Sequence, residues 1–565
     1  MTVYPRLARL LATACLLTAA AAFAGPVRFT DVQYADDDGG PAPDAGQFRN
    51  PVLAGFYPDP SAVRVGDDFY LVTSTFGYFP GLPVFHSRDL VSWRQLGNAI
   101  DRPAQMPYGD GEELTRGLFA ATISHHDGRF YIANTCFYCP GRGMGNFVVT
   151  ATDPAGPWSD PAWLDVSGID PSLFFDDDGR AWLVHNDVPQ GTQRYAGHRA
   201  IWLRRFDPDT LSLTGDAVQL VDAGVHPETN PEHVEGPHLF KHDGWYYLTA
   251  AEGGTGEQHA QMIWRSRTVS GPYEAWSGNP TLTQRDLDPA RPAPVTSTGH
   301  AQFLEAPDGT WWAVFLATRP YRGNQYNLGR ETFLLPVTWQ DGWPVILPRG
   351  ERVPMVSDRP ALPADAQPQP TTGPMAWTET FRSGTLPPQW LMLDPPTRAW
   401  FSTGADGLRL LPSATPLARH GKAEGHPSYL GHRLQHHRAT FGVTVDAGTL
   451  DAGELAGLAL LQNERHHLVA AIERDAQGGA SLVVLQRAGE GDPANGQVLA
   501  RILLTDVPAQ VSFRFHLVAP RLDVDYAFAP GDWQPLATDL DASGLSVDTA
   551  GGFIGNTFGP YALKR

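Results

Sequence analysis

The sequence predicts an all-β protein in which a five-bladed β-propeller is followed by a jelly-roll β-sandwich. One hairpin pattern recurs five times at intervals of about fifty to sixty-five residues, a length that suits four strands per blade. A Pro-rich stretch then leads into about 190 residues of short alternating strands, which fit a sandwich. The composition, with 58 Gly, 50 Pro and 11% aromatic residues, is typical of loop-rich β proteins.

Each copy of the hairpin pattern contains a turn in which aspartate stands beside glycine. Such a pair readily adopts the positive φ of a tight hairpin, and the aromatic and β-branched residues after it suit a buried strand. The copies are Gly66-Asp67-Asp68-Phe69-Tyr70, Asp127-Gly128-Arg129-Phe130-Tyr131, Asp178-Gly179-Arg180-Ala181-Trp182, Asp243-Gly244-Trp245-Tyr246-Tyr247 and Asp308-Gly309-Thr310-Trp311-Trp312.

The residues eight positions before these aspartates are predicted to start the innermost strands and to converge on the propeller axis. They are Asp59, Phe119, Asp170, Glu235 and His300. Carboxylates packed together cost desolvation and mutual repulsion unless function needs them. One isolated aspartate is more often a turn cap, but three acids in phase favour a functional site.

The N-terminal residues have the features of a secretory signal peptide over 1–24. Arg6 and Arg9 precede an apolar run over 10–23, and cleavage is expected after Ala24. The run is too short to span a membrane comfortably. We therefore expect an exported protein, periplasmic or extracellular, with no membrane insertion.

The rest of the chain divides into four predicted segments. Residues 25–48, rich in Asp, Gly and Pro, are predicted to be a flexible leader. Residues 49–354 contain the five repeats, and residues 355–375 form a Pro-rich linker. Residues 376–565 are predicted to be the sandwich, which either binds sugar itself or braces the propeller.

Cysteine content and charge limit the chemistry further. Beyond the signal peptide only Cys136 and Cys139 remain, and no second pair completes a zinc site. In an exported protein we expect a local disulfide between them, with no catalytic role. The formal net charge of -19 argues against nucleic acid or an anionic membrane as a partner, and the sequence leaves an oligomer open.

Several short motifs occur in order across both predicted domains. They include Asn50-Pro51-Val52 to Asp59-Pro60-Ser61, Ser74-Thr75-Phe76, Ile169-Asp170-Pro171-Ser172, Glu235-Gly236-Pro237-His238, Glu252-Gly253-Gly254-Thr255, Thr298-Gly299-His300-Ala301 and Leu328-Gly329-Arg330-Glu331. As a set they resemble glycoside hydrolase family 43, and within it the β-xylosidase and α-L-arabinofuranosidase type with a C-terminal β-sandwich.

The resemblance implies a role for each of the three acids. Asp59 matches the general base, Glu235 the general acid, and Asp170 the residue that orients the acid and keeps its pKa high. An inverting hydrolase needs such a set because it protonates the leaving oxygen from one side while it activates water on the other. The two carboxyl groups must then lie roughly 6.5 to 9.5 Å apart, one protonated and one ionised.

The resemblance also implies residues around the sugar. Arg330 matches an arginine that hydrogen-bonds sugar hydroxyls, and Phe76 and Phe119 match the walls of that subsite. Phe558, which follows Gly551-Gly552-Phe553, resembles an aromatic residue of the C-terminal domain that reaches over the pocket and closes it for exo action.

Two histidines complete the implied site. His259 matches a histidine in the Glu-Gly-Gly-Thr loop, and His300 matches an axial histidine that in some members helps to hold a metal ion through water. The resemblance thus implies no required cofactor and leaves a structural calcium ion open. Gly77 and Tyr78 depart from the xylosidase pattern, so substrate preference transfers less directly than catalytic class.

The function that follows is an inverting exo-glycosidase that hydrolyses β-1,4-xylosidic bonds at the non-reducing end of xylo-oligosaccharides. One alternative is an α-L-arabinofuranosidase, or a bifunctional enzyme, acting on arabinoxylan fragments. Another is a carbohydrate-binding protein without catalysis, and a third is the related five-bladed fold of fructan-cleaving enzymes, which retain configuration. The three in-phase acids disfavour the binding protein, because a binding site gains nothing from three like charges.

Overall fold

The computed structural model describes residues 25–36, 43–108, 113–139, 141–364, 371–419 and 426–565. The predicted signal peptide lies outside these residues. Within them the regular structure is almost entirely β-strand, which confirms the predicted all-β class, and the single α-helix is the one-turn Val547–Ala550. Short 3-10 helices occupy Pro227–Thr229, Leu417–Arg419, Ala447–Thr449 and Ser543–Leu545. In these stretches, no helix has the length and apolarity needed to cross a membrane.

Five antiparallel sheets form the predicted five-bladed propeller, and their innermost strands contact one another in a closed ring. The strands of each blade follow from the axis outward: blade one has Ser61–Val65, Asp68–Val72, Gly81–Ser87 and Arg94–Ile100, and blade two has Gly117–His126, Arg129–Cys139, Gly143–Ala151 and Ala162–Leu164. Blade three has Ile169–Phe175, Ala181–Asp187, Ala200–Asp207 and Ser212–Asp222, and blade four has Glu235–His242, Trp245–Glu252, Ala260–Ser266 and Glu274–Ala275, with Leu282–Thr283 also paired to Ala260–Ser266. Blade five has Thr296–Glu305, Trp311–Thr318, Glu331–Gln340 and Trp343–Val345.

Two of the five hairpin turns have positive φ at both the Asp and the Gly, as their sequences predict. Asp127 and Gly128 have φ of 47° and 74°, and Asp243 and Gly244 have φ of 47° and 72°. Positive φ at both central residues defines the type I′ turn, whose twist matches that of paired strands. Each turn fixes the register of its hairpin, and therefore the side chain that starts the innermost strand.

The C-terminal domain is a sandwich of two antiparallel sheets. The eight-stranded sheet has the order Phe401–Gly404, Gly407–Leu410, Val27–Asp36, Arg438–Asp446, Val511–Val518, Arg521–Ala527 and Gln534–Asp541, with Ala376–Glu379 also paired to Val27–Asp36. The seven-stranded sheet has the order Ser428–Tyr429, Thr557–Lys564, Glu454–Asn463, His466–Arg474, Ala480–Ala488 and Gln497–Leu504, with His432–Arg433 also paired to Thr557–Lys564.

The prediction of a flexible leader over 25–48 is wrong for most of its described part. Val27–Asp36 is a ten-residue strand in the middle of the eight-stranded sheet, so the N-terminal strand completes the C-terminal domain. Its inward-facing side chains Val27, Phe29, Val32 and Tyr34, which alternate except at a bulge after Phe29, are at most 2% exposed. Burial of these apolar groups offsets the entropy of ordering the strand.

The two domains are joined by backbone pairing as well as by side chains. Gln47–Arg49 pairs with Val356–Asp358, so part of the predicted linker closes the propeller where the chain enters and leaves it. Tyr78–Phe79 pairs with Met392–Leu393, which ties a propeller loop to the second domain. One apolar cluster spans the interface and places the sandwich beside the mouth of the propeller.

Candidate active site

The five in-phase residues lie together in the structure. Asp59, Phe119, Asp170, Glu235 and His300 all line one cavity of about 540 Å³. They come from five different blades, so the closed ring of innermost strands brings them together. The residues eight positions before the turn aspartates, which the sequence predicts to converge, therefore form the centre of the site.

The backbone is irregular beside these residues. Asp59, Asp170 and His300 have φ of 54°, 55° and 51°, a left-handed region that residues other than glycine adopt rarely. In four blades the strand register shifts next to the site, between Leu118 and Ala121, Ile169 and Ser172, Glu235 and His238, and Gly299 and Gln302. Bulges and positive φ of this kind cluster at functional sites, where they aim a side chain.

Asp59 is held by donors on both carboxylate oxygens. Arg330 Nη1 donates to Oδ1 at 2.8 Å, and Ser74 Oγ donates to Oδ2 at 2.5 Å. His300 Nδ1 lies 3.8 Å from Oδ1. Burial raises the pKa of Asp59, but Arg330, His300 and the hydrogen bond from Ser74 outweigh burial, so the pKa lies below its ordinary value. Asp59 is therefore ionised at neutral pH.

Glu235 has the opposite electrostatic environment. Burial, followed by the negative charges of Asp170 and Asp59, raises the pKa of Glu235 to about 8. Its side chain is partly exposed to the cavity. At neutral pH Glu235 therefore keeps its proton and can donate it to a bound molecule.

Asp170 contacts the backbone beside Glu235 and has a raised pKa. Its Oδ2 accepts a hydrogen bond of 3.0 Å from the backbone N–H of Gly236, the residue after Glu235. Burial raises the pKa of Asp170, and although His300 opposes this shift, the charge of Asp59 adds to it. Asp170 thus supports the backbone that carries Glu235 and supplies the charge that keeps Glu235 protonated.

Aromatic side chains form one wall of the cavity. Phe76, Phe119 and Phe553 line it, with ring centroids 5.3 Å apart for Phe76 and Phe119 and 5.8 Å apart for Phe76 and Phe553. The guanidinium carbon of Arg330 lies 5.6 Å from the centre of the Phe553 ring. Arg330 lines the cavity and donates to Asp59 through Nη1, so its other terminal nitrogen, Nη2, retains donor capacity for a ligand hydroxyl.

The prediction for Phe558 is wrong, and Phe553 takes the position assigned to it. Phe558 is fully buried inside the sandwich, where its ring packs on Phe441, Tyr34 and Trp377. Phe558 lies on Thr557–Lys564 with its side chain toward the space between the sheets, whereas Phe553 lies in the preceding loop and reaches the cavity. The two glycines before Phe553 were the sequence signal for this loop.

His259 lies behind the cavity wall. The His259 ring packs closely on Gly299, the residue before His300. A Cβ atom added to Gly299 would lie 2.6 Å from His259 Cε1. Its Nδ1 contacts the Ser297 carbonyl oxygen at 3.0 Å, and burial lowers the pKa of His259 to about 4. His259 is thus a neutral support for the strand that carries His300.

The described side chains around His300 supply too few ligands to bind a metal ion on their own. Among the described residues no group of three or more His, Cys, Asp or Glu side chains is placed to hold a metal ion. The imidazole of His300 would supply one protein ligand, and water would have to supply the others. Calcium at this position stays a prediction.

A second part of the cavity lining, which we call the rim, is polar. It is formed by Glu232 and His233 and by the glycine-rich segment 253–258. The long segment over 190–200 supports this rim, since Gly197 O accepts the His233 N–H at 3.0 Å and Tyr195 OH donates to Pro231 O at 2.8 Å. The sequence motifs did not indicate these rim residues.

The comparisons with known proteins agree with this geometry. Residues 48–344 match the glycosyl hydrolases family 43, and residues 378–565 match the beta xylosidase C-terminal concanavalin A-like domain. A xylosidase/arabinosidase of Butyrivibrio fibrisolvens is 36% identical over 92% of this chain and 96% of its own. The non-reducing end alpha-L-arabinofuranosidase BoGH43B of Bacteroides ovatus is also 36% identical, over 91% of each.

Solved structures give the same result for the whole chain. A GH43_12 protein retrieved from a capybara gut metagenome superimposes with a TM-score of 0.87 at 32% identity, over 96% of this chain and all of the other. The xylan beta-1,4-xylosidase of Bacillus halodurans C-125 superimposes with a TM-score of 0.79 at 30% identity, over 92% and 97%. The family match across the propeller, the second match across the sandwich and these full-length relatives together show that the chain belongs to glycoside hydrolase family 43.

Proposed function

We propose that this glycoside hydrolase removes β-1,4-linked xylose from the non-reducing end of xylo-oligosaccharides with inversion of configuration. The observation that carries the proposal is the opposed protonation of two carboxyl groups in one cavity. The pKa of Asp59 is lowered, whereas that of Glu235 is raised to about 8. Inverting hydrolysis needs this pair, an ionised base and a protonated acid.

The reaction follows from the opposed protonation of the two groups. Asp59 takes a proton from a water molecule while the water oxygen bonds to the anomeric carbon. The glycosidic C–O bond breaks at the same time, and Glu235 delivers its proton to the leaving oxygen. Asp59 ends protonated and Glu235 ionised, and exchange with solvent restores both groups.

The surrounding residues support binding at one chain end. Arg330 offers donors to sugar hydroxyls, and the rings of Phe76, Phe119 and Phe553 pack around the apolar faces of a single sugar. Phe553 comes from the sandwich, so the second domain contributes to the cavity wall. A cavity closed in this way favours exo action over cleavage within a chain.

A second candidate activity is the release of terminal α-L-arabinofuranose, alone or together with xylose. The relatives described as a xylosidase/arabinosidase and as a non-reducing end alpha-L-arabinofuranosidase favour it. The two sugars present similar hydroxyls to one subsite. Comparison of kcat/KM on 4-nitrophenyl β-D-xylopyranoside and 4-nitrophenyl α-L-arabinofuranoside separates the candidates, and comparable values would mean a bifunctional enzyme.

The test of the proposal is proton NMR of the first-formed product from xylobiose. We expect the α-anomeric signal of xylose to appear before mutarotation, and we expect Asp59→Asn to abolish it. First appearance of the β anomer would mean retention and would exclude Asp59 as a base. Binding of xylobiose without turnover by the intact protein would instead support the non-catalytic alternative.

We also infer that the protein is exported and that its partner is a neutral carbohydrate. The charged start and apolar run over 1–24 support export, and the Cys136–Cys139 disulfide suits an oxidising compartment. The sandwich begins with the strand at Val27, directly after the expected cleavage point. Full-length protein expressed in a Gram-negative host should appear outside the cytoplasm with Gly25 at its N terminus, and an intact Met1 would contradict export.

A further inference from the structure

A covalently closed turn lies directly behind the aromatic wall of the cavity. The Cys136–Cys139 disulfide encloses Phe137 and Tyr138 at the end of the strand Arg129–Cys139. The Phe137 ring lies flat on Phe119, with centroids 5.0 Å apart and an interplanar angle of 12°. The disulfide therefore constrains the residue on which a wall of the sugar pocket is stacked.

Phe119 is packed differently on its other sides. Phe76 and Phe553 meet its ring edge to face, at interplanar angles of 61° and 74°. Both Phe119 and Phe137 keep part of their surface exposed, so neither is fixed by deep burial in a core. The stacked face supplied by Phe137 is thus the parallel support that holds the Phe119 ring in place.

The turn needs an external constraint to hold this geometry. Tyr138 has φ of 65°, in the left-handed region that an aromatic residue adopts rarely. Cys136 is fully buried opposite Leu118, on the strand that carries Phe119. On the outer side, Arg116 stacks over the Tyr138 ring at 4.0 Å and donates through Nε to Glu113 Oε2 at 2.8 Å. The disulfide joins Cys136 to Cys139, which is 3% exposed, so both ends of the turn are held in the protein interior.

We propose that the Cys136–Cys139 disulfide holds Phe137 against Phe119 and thereby sets the wall of the sugar subsite. Phe137 is a positioning residue that acts through Phe119 and does not touch the reacting atoms. The proposal rests on the proposed function for the identity of the sugar. It assigns to this disulfide a role in ligand affinity.

The expected kinetic effect is confined to binding. The Phe119 wall contacts the sugar in the ground state and in the transition state alike, so loosening it removes uniform binding. KM and the inhibition constant of the product sugar should rise together, while kcat changes little. An aromatic pair contributes an amount that corresponds to about a 2- to 13-fold change in affinity.

The experiment compares Phe137→Ala, Cys136→Ser/Cys139→Ser and the triple variant. Each is assayed on whichever aryl glycoside the wild type hydrolyses better, with xylose and arabinose as product inhibitors, and its Tm is recorded. We expect the first two variants to raise KM and the inhibition constant about 2- to 13-fold, and the triple variant to add nothing further, because all three remove one support. Phe137→Tyr, which keeps the stacked ring, should restore wild-type affinity.

Tyr138→Ala is the matched control. Tyr138 lies in the same turn, is 42% exposed and meets the Phe137 ring edge to face at 63°, but among the described residues no ring contact joins it to Phe119. This variant should leave the inhibition constant unchanged. The proposal is overturned if the serine variant lowers Tm without changing the inhibition constant, or if the effects of Phe137→Ala and the serine variant multiply.

The positioning role of Phe137 and the proposed function can be tested independently of each other. A wild type that hydrolyses neither aryl glycoside would contradict the proposed function. Calorimetric titration of the same variants with xylose and with arabinose would still test the wall, since it needs no turnover. Equal sugar affinity in the wild type and in Phe137→Ala would overturn the positioning role of Phe137 regardless of activity.

Discussion

Gly329 and Gly555 meet backbone to backbone where the sandwich reaches the propeller. A Cβ on Gly329, whose φ is 76°, would lie 2.8 Å from the Gly555 amide nitrogen, and a Cβ on Gly555 would lie 2.3 Å from Leu328 O. Arg330 follows the first glycine, and Phe553 lies two residues before the second. This contact therefore sets the distance between Arg330 of one domain and Phe553 of the other, both of which line the cavity.

Gly555→Ala should lower kcat/KM about tenfold or more, because small displacements of binding groups have large effects on rate. The added methyl group can be accommodated only if the loop that carries Phe553 moves away from Leu328. Steady-state kinetics on the aryl glycoside measures the loss.

Gly544→Ala is the control, since a Cβ there meets nothing within 4 Å and Gly544 lies in the same C-terminal region. It should match the wild type in kcat/KM and in Tm. If Gly555→Ala kept wild-type kinetics, the close approach of the two glycines would have no functional meaning.

The dependence of kcat/KM on pH should be bell-shaped, with a wide plateau. Glu235 acts when protonated, so activity is present below its pKa of about 8 and is lost as pH rises through that value. Asp59 acts when ionised, so activity is present above its lowered pKa and is lost as pH falls through it. Assays after return to neutral pH separate titration from irreversible unfolding.

Glu235→Gln distinguishes the acid from other groups that titrate near the same pH. On an aryl glycoside whose phenol leaves without protonation, this variant should retain much of its rate and lose the alkaline limb, while its activity on xylobiose falls by about 10²- to 10⁴-fold. An alkaline limb that persisted in the variant would assign that titration to another group.

Asp170→Asn should move the alkaline limb to lower pH by about one unit, because the negative charge of Asp170 is a main cause of the raised Glu235 pKa. The measurement is the pH profile of kcat/KM. Glu257→Gln is the matched control, since it removes a carboxylate from the rim of the same cavity that is not among the causes of the shift. Equal displacement of the limb in both variants would mean a general field effect.

The sequence predicted the site well where a local feature, the hairpin turn, determines which distant side chains come together. The turn that joins the two inner strands of each blade sets the hairpin register, and hairpin register sets which side chain reaches the axis, so counting back from the turns located Asp59, Asp170 and Glu235. Val27–Asp36 was missed although its buried side chains nearly alternate, because the acidic and Pro-rich residues after it dominated the interpretation and its partner strands lie some four hundred residues away.

Phe553 and Phe558 show a limit of motif matching. Both occur in one short glycine-rich stretch, and which of them faces the cavity depends on where the final strand begins, at Thr557. Phe558 pairs opposite Leu460 inside the sandwich, a register set by contacts across the sheet. Local sequence carries little information on such a choice between neighbouring rings.

The corrected assignment predicts opposite phenotypes for the two phenylalanines. Phe558→Ala should lower the free energy of unfolding by about 3 to 5 kcal/mol, because it leaves a cavity in a fully buried aromatic cluster. Phe553→Ala should keep Tm near the wild-type value, since that ring is half-exposed, but should raise KM and the inhibition constant of the product sugar. Calorimetry and steady-state kinetics on the two purified variants measure both effects. A Phe553→Ala variant with unchanged KM, together with a stable Phe558→Ala variant with raised KM, would restore the assignment of Phe558 to the pocket.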